Sequence, residues 1–141
     1  MLRVSVICQG RLKEPHYIAA CQEYLKRLTA YCKAEVVELP EDGDISSRIP
    51  KGAYVIALCI EGKKLSSPGL AQMLEKLAVE GKSHLCFLIG GSDGLPESVK
   101  KQADYSLSMS DMTFPHHLAR VMLLEQIYRA FTISAGAKYH N

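Results

Sequence analysis

The sequence predicts an α/β fold with a mainly parallel sheet and helices on both faces, and three observations predict it. Five short apolar runs alternate with segments of helical periodicity along the chain. Two of those runs, AYVIALCI and HLCFLI, are apolar at nearly every position, as strands buried on both faces are. No internal repeat, low-complexity stretch or linker breaks the 141 residues, so a single domain over 1–141 is expected.

Each element follows from local chemistry. LRVSVIC reads as a first buried strand and not as a secretion signal, because no basic region precedes a long apolar one. Pro15 suits a first helical position. Ile18, Cys21, Leu25, Leu28 and Cys32 then recur at spacings of three and four, predicting one buried helical face out to about Cys32. AEVVEL is the second strand. Residues 40–52 are polar and broken by Pro and Gly, a loop with one helical turn.

AYVIALCI is the third strand, and EGKKLSSPG a loop in which Ser67 caps a helix opened by Pro68 and running to Gly81. HLCFLI is the fourth strand. A glycine loop, a short helix LPESVKKQA and a fifth strand YSLSM follow. After SDMTFP, a long helix runs from Pro115 to Ile133, with Thr113 placed to cap it. No apolar stretch approaches the roughly 20 residues of a membrane helix, so no membrane association is expected.

The five cysteines, Cys8, Cys21, Cys32, Cys59 and Cys86, form no CxxC pair, and their odd number opposes a disulfide framework. They read as small core hydrophobes of a reducing cytoplasm. Net charge is only +2, but it is unevenly spread. Residues 1–33 carry six basic side chains against two acids, and residues 34–50 five acids against Arg48. The basic segment suits an RNA-facing surface and equally suits the solvated side of an amphipathic helix.

Ligands of parallel sheets bind at the carboxyl ends of strands, which brings residues 60–62, 90–94 and 109–113 towards one pocket. The apolar run before Gly90 ends in GGSDG, a loop of the kind that holds a nucleotide. It lacks GxxxxGK[ST], and glycines at 90, 91 and 94 do not fit GxGxxG. A tight turn needing positive φ explains them equally well.

The long helix is apolar on nearly every side, so it is buried all round or lies in a subunit interface. Its polar residues form two groups: His116, His117 and Arg120 near its start, then Glu125, Arg129 and Thr132. Glu125 and Arg129 are spaced for an ion pair. No HxxxH or HExxH is present, and no metal is expected. The tail AKYHN would fray unless a substrate or another subunit ordered it.

Taken in order, LCIEGK, LIGGSDG, LSMSDMTFPH, EQIYRAF and the terminal YH resemble the trefoil-knotted SPOUT methyltransferases across essentially the whole chain. More specifically, they resemble the RlmH family of large-subunit rRNA pseudouridine N3-methyltransferases. Two departures stand out: SDG where other members can have PEG, and GAK before the terminal YH where some have HP.

The resemblance implies a C-terminal knot, S-adenosylmethionine as methyl donor, a cytoplasmic homodimer, and 23S rRNA in the assembled ribosome as substrate. It implies donor contacts from Leu58, Gly90, Gly91, Ser110, Asp111, Met112, Thr113, Phe114 and Pro115, largely through backbone groups. It assigns the chemistry to Arg129, Tyr139 and His140. Arg129 would stabilise negative charge on the base, His140 would accept its proton or position it, and Tyr139 would stack on it or hydrogen-bond to it. His116 would hold the loop at the donor, and Glu125 would hold Arg129. A SPOUT enzyme acting on tRNA and a non-catalytic RNA-binding module on the same fold are the alternatives.

Overall fold

The computed structural model describes residues 1–140. Its five strands are β1 (Arg3–Gln9), β2 (Lys33–Leu39), β3 (Tyr54–Lys64), β4 (His84–Ile89) and β5 (Tyr105–Ser108). They form one parallel sheet in the order β2-β1-β4-β3-β5. The helices are α1 (Pro15–Leu28), α2 (Ser67–Val79), α3 (Glu97–Lys100) and α4 (His116–Ser134), with one 3-10 turn at Ser46–Arg48.

Alternation along each strand divides the core in two. Val4, Val6, Cys8, Ile56, Leu85, Phe87 and Ile89 pack with α1, α2 and α4. Ile7, Val55, Ala57, Cys86 and Leu88 face the other way, against Ile45, Leu95 and Val99 of α3. Helices therefore cover both faces unequally, three long ones on one side and a single short one on the other. Four of the five cysteines are buried. Burial pushes the Cys8 and Cys86 thiols up to about 12, with Arg120 opposing it at Cys8, and burial pushes Cys32 to about 11.

Several boundaries differ from the sequence reading for local reasons. Helix α1 stops at Leu28, where the Thr29 hydroxyl donates to the Lys26 carbonyl (2.6 Å). The cap of α2 is Ser66, whose hydroxyl accepts from Gly69 N (3.0 Å). Ser67 instead donates to Gln126 Oε1 (2.6 Å), joining α2 to α4. Thr113 caps nothing: α4 starts after Pro115 without a side-chain cap.

Strand β3 runs through the expected loop EGKK. It pairs with β5 at Ile56–Leu58, shifts register, and pairs again at Lys63–Lys64. The return is tight, because a Cβ at Gly62 would lie 2.7 Å from the Ser106 carbonyl oxygen.

From His116 to Ile133 no residue of α4 is fully exposed, so packing within one chain already explains much of its apolar character. Arg120 is the buried charge on this helix, 1% exposed. It donates to Glu38 Oε2 at the end of β2 and to the Gly10 carbonyl beyond β1 (3.0 Å). Glu38 also accepts from Leu12 N (2.8 Å). Burial raises the Glu38 carboxyl, but these bonds outweigh it and hold the group below its usual range. Removing one partner of a buried pair strands the other. Glu38→Gln is therefore expected to cost about 2 kcal/mol, less than for a fully buried pair because the Glu38 side chain keeps 33% of its exposure. Urea unfolding measures it, and an unchanged midpoint would remove this pair from the stability of the fold.

Candidate functional site

The carboxyl ends of β3, β4 and β5 open into a cleft of about 650 Å³, within the size range of small-molecule sites. Its walls are the three segments expected from strand-end geometry. They are Leu58–Glu61 where β3 slips against β5, Ile89–Leu95 after β4, and Ser108–Ser110 with Met112–His116 after β5.

The glycines of the second wall answer to different constraints. Gly94 has φ +76°, the left-handed turn expected for such a loop. Gly90 has no such angle; the loop folds back so closely that a Cβ there would lie 2.3 Å from the Gly94 carbonyl carbon. A hydrogen bond from Gly94 N to Gly91 O (3.0 Å) closes the turn.

Of the nine expected donor contacts, Leu58, Gly90, Gly91, Ser110, Met112, Thr113, Phe114 and Pro115 line this cleft. Asp111 is not on its wall. It pairs with Lys64 Nζ (2.6 Å) at the surface, its side chain 79% exposed. The loop is shaped from within: Ser108 Oγ donates to Ser110 O (3.0 Å), and Met112 N donates to Ser110 Oγ (3.0 Å).

The structure adds wall residues that sequence reasoning did not single out. Lys100 reaches in from α3 and pairs with Glu61 (2.6 Å) and Glu97 (3.3 Å). The Lys100 bond holds the Glu61 carboxyl below its usual range. The i,i+3 spacing of Glu97 and Lys100 was visible in the sequence, but the partner 39 residues away was not. Cys59 also lies on the wall, half-buried, and burial pushes its thiol up. His116 lines the cleft as expected. Burial and then the neighbouring His117 lower its pKa, which favours the neutral ring.

Arg129, Tyr139 and His140 do come together, but at the other end of α4. Glu125 organises them. Its carboxylate accepts from Arg129 Nε (3.3 Å), from the other Arg129 nitrogen Nη2 (2.7 Å) and from the Tyr139 hydroxyl (2.7 Å). Arg129 Nη1 lies 3.0 Å from His140 Nδ1, and the guanidinium carbon sits 4.8 Å from the Tyr139 ring centroid.

A guanidinium only donates, so His140 accepts at Nδ1 and its ring proton sits on Nε2. Tyr139 also meets Tyr128 edge-on (4.8 Å). Tyr139 and His140 are thus tied down within the chain, contrary to the expectation that they would fray, and Asn141 of that expectation lies outside the described residues. Arg129 is 14 residues beyond Pro115 along α4, about 20 Å at 1.5 Å per residue. Glu125 itself faces a neighbouring cavity of about 410 Å³ that shares Ser108 and Met109 with the cleft. Among the described residues, no group of three or more His, Cys, Asp or Glu side chains could hold a metal ion. No helix among them is long and apolar enough to cross a membrane.

Burial pushes the Glu125 carboxyl up, yet the bonds from Arg129 and Tyr139 win and hold it low. A lowered carboxyl stabilises the tail above its unfolded pKa, and that contribution fades as pH falls through the lowered value. Carboxypeptidase should accordingly trim Tyr139 and His140 faster from Glu125→Ala than from the wild-type protein at neutral pH. Equal rates would show that Glu125 does not hold the tail.

Comparisons with known proteins agree with this architecture. The family described as "Predicted SPOUT methyltransferase" matches residues 2–140. The ribosomal RNA large subunit methyltransferase H of Clostridium botulinum (strain Alaska E43 / Type E3) is 44% identical, and that of Clostridioides difficile (strain 630) 43%, each alignment covering 99% of both chains. Among solved structures, tRNA (m1G37) methyltransferase from Aquifex aeolicus superposes with a TM-score of 0.55 at 20% identity, covering 91% of this chain and 69% of that one. TrmJ from Z. mobilis ZM4 superposes at 0.60 with 11% identity, covering 94% and 71%. At these identities the two structures speak for the fold alone, while the full-length sequence matches carry the family. The chain belongs to the SPOUT methyltransferases, in the branch of the ribosomal RNA large subunit methyltransferase H proteins.

Proposed function

We propose that this protein transfers a methyl group from S-adenosylmethionine, held in the β3–β4–β5 cleft, to N3 of a pseudouridine of 23S rRNA in the assembled ribosome. The observation that carries the reading is the convergence of three strand-end loops on one cleft, with eight of the nine expected contact residues on its walls. The large-subunit rRNA methyltransferase name of full-length relatives supports the substrate. In this reading the chain is one cytoplasmic domain, knotted through its C-terminal segment, and it works as a homodimer.

The walls fit such a donor. Leu58, Ile89, Leu95, Met109 and Phe114 offer apolar surface for a flat base, and the glycine turn leaves main-chain groups open to its edge. Glu61, Asp93 and Lys100 place both signs of charge beside a ligand that carries both. When bound, S-adenosylmethionine supplies an already activated methyl group, so the chain's own work is alignment and charge stabilisation.

Among the described residues Arg129 gives N–H donors to Glu125 and His140 and has others beyond these, which stabilise negative charge on the carbonyls flanking N3. His140 presents Nε2–H to the base as a donor, which makes it a positioning group in this arrangement. It accepts the N3 proton only once its Arg129 bond opens. Tyr139, with its phenol raised by burial and by Glu125, stays protonated and offers its ring to the base.

About 15 Å of helix separates Arg129 from Ala119, the cleft residue farthest along α4, while methyl transfer needs atoms in contact. A second copy resolves the separation by laying its Arg129 cluster over the first copy's cleft.

Labelled methyl transfer to ribosomes lacking the modification tests the substrate, with free rRNA and tRNA alongside. Label mapped to a pseudouridine N3 in ribosomes is expected; label on tRNA alone would overturn the assignment. Arg129→Ala should keep donor affinity and lose transfer by at least about a hundredfold, the usual scale for removing a charge-stabilising donor. Mixing it with Gly91→Phe, a bulky change that displaces the glycine turn of the cleft wall and should abolish donor binding, should restore activity if sites are shared between subunits. Failure of these two inactive variants to complement would place the site within one chain.

A further inference from the structure

The loop after β2 has no part in the reaction described so far, yet it is built into the donor cleft. Glu41 follows Pro40 on that loop and is exposed. Its Oε1 accepts from both Ser92 N (2.9 Å) and Ser92 Oγ (3.2 Å), the residue after Gly91 in the glycine turn. The carboxylate rests in a seat that only glycines can form. A Cβ at Gly91 would lie 2.3 Å from Glu41 Oε1, and one at Gly10, beyond β1, would lie 2.6 Å from Oε2. Ser92 first, against a burial effect that raises it, and then His116 and His117 hold the Glu41 carboxyl below its usual range.

The loop that carries Glu41 is itself anchored. Gln9, 7% exposed at the end of β1, donates through Nε2 to Gly43 O (3.0 Å). Its Oε1 accepts from Gly91 N (3.3 Å). Two side chains therefore span the same two loops. Gln9 does so from the buried side, and Glu41 from the solvent side.

A turn with glycines at 90, 91 and 94 is conformationally free in isolation, and a ligand that must order it spends part of its binding free energy doing so. We propose that Glu41 is a positioning residue for the methyl donor: seated between Gly10 and Gly91, it clamps Ser92 and holds the glycine turn in its binding-competent shape. This inference rests on the reading of the cleft as the donor site. It assigns Gly91 a purpose distinct from ligand contact, which is to leave room for the clamp. It also ties donor affinity to a loop that touches no donor.

The test is calorimetric titration of the full chain with S-adenosylhomocysteine, the stable product of the donor. Glu41→Ala, a change at an exposed loop residue, should raise Kd about fivefold, a scale set by the loss of charge-assisted hydrogen bonds near the surface. Glu41→Gln keeps an oxygen for Ser92 and should recover most of that loss.

Ser92→Pro supplies neither N–H nor hydroxyl, so adding Glu41→Ala to it should change Kd by less than about twofold. The same fivefold loss in the Ser92→Pro background would overturn the clamp, since Glu41 would then act through something else. An unchanged Kd in Glu41→Ala would also overturn it, and a lowered melting temperature beside that unchanged Kd would mark Glu41 as merely structural. Failure of the wild-type protein to bind S-adenosylhomocysteine at all would remove the donor reading itself, and the clamp with it.

Discussion

A guanidinium sealed under the start of α4 sets the terms for everything at the carboxyl edge of the sheet. Arg120 is too costly to bury alone, and it is satisfied only if Glu38 of β2 and the carbonyl of Gly10 beyond β1 converge on it. That requirement fixes the angle at which the long helix arrives. His116, one turn earlier, is thereby held at the cleft wall, and the loop leaving β5 has to cross the ends of β3 and β4 to reach it. The Nε of Arg120 has no partner among the described residues, so the arrangement falls short of full satisfaction by one donor. Position, and not maximal hydrogen bonding, is what the pair contributes.

With that end of α4 fixed, the two functional groupings follow from the helix as a spacer. One end carries the cleft and the other carries the Glu125 cluster, with apolar packing against α1 and α2 between them. A straight helix cannot fold these ends together. In the proposed function, the chemistry ascribed to Arg129 and the ligand ascribed to the cleft are brought together by a second copy of the chain. In that proposal the internal ties of Tyr139 and His140 hold them ready on their own chain.

Much of the architecture was legible because it rests on periodicity. The continuous apolar runs of β3 and β4 announced strands buried on both faces, and the two-sided core bears this out. The convergence of three loops followed from strand direction alone. Side-chain destinations were harder to read, because they depend on partners far away in sequence. Ser66 and not Ser67 caps α2, since Ser67 finds Gln126 on α4. Asp111 sits within a run of cleft residues, yet it turns out to Lys64. Glu38, Glu41 and Lys100 are ordinary surface charges by sequence, and only tertiary contacts give them work. The tail showed the same limit: AKYHN carries no local signal of order, yet Tyr139 is held by Glu125, fourteen residues before it.

Under the proposed reading of the cleft as a sulfonium donor site, the position of Cys59 on its wall has a consequence. A sulfonium methyl group is open to attack by any good nucleophile nearby, and a thiolate is among the best the protein could offer. Burial raises the Cys59 pKa; Ser106 opposes it, the Glu61 charge acts with it, and Lys100 and Gly62 oppose it more weakly. At neutral pH the sulfur therefore stays a thiol, the unreactive form. With the proposed donor in the cleft, the half-buried setting that makes Cys59 an ordinary wall residue would also keep the protein from methylating itself.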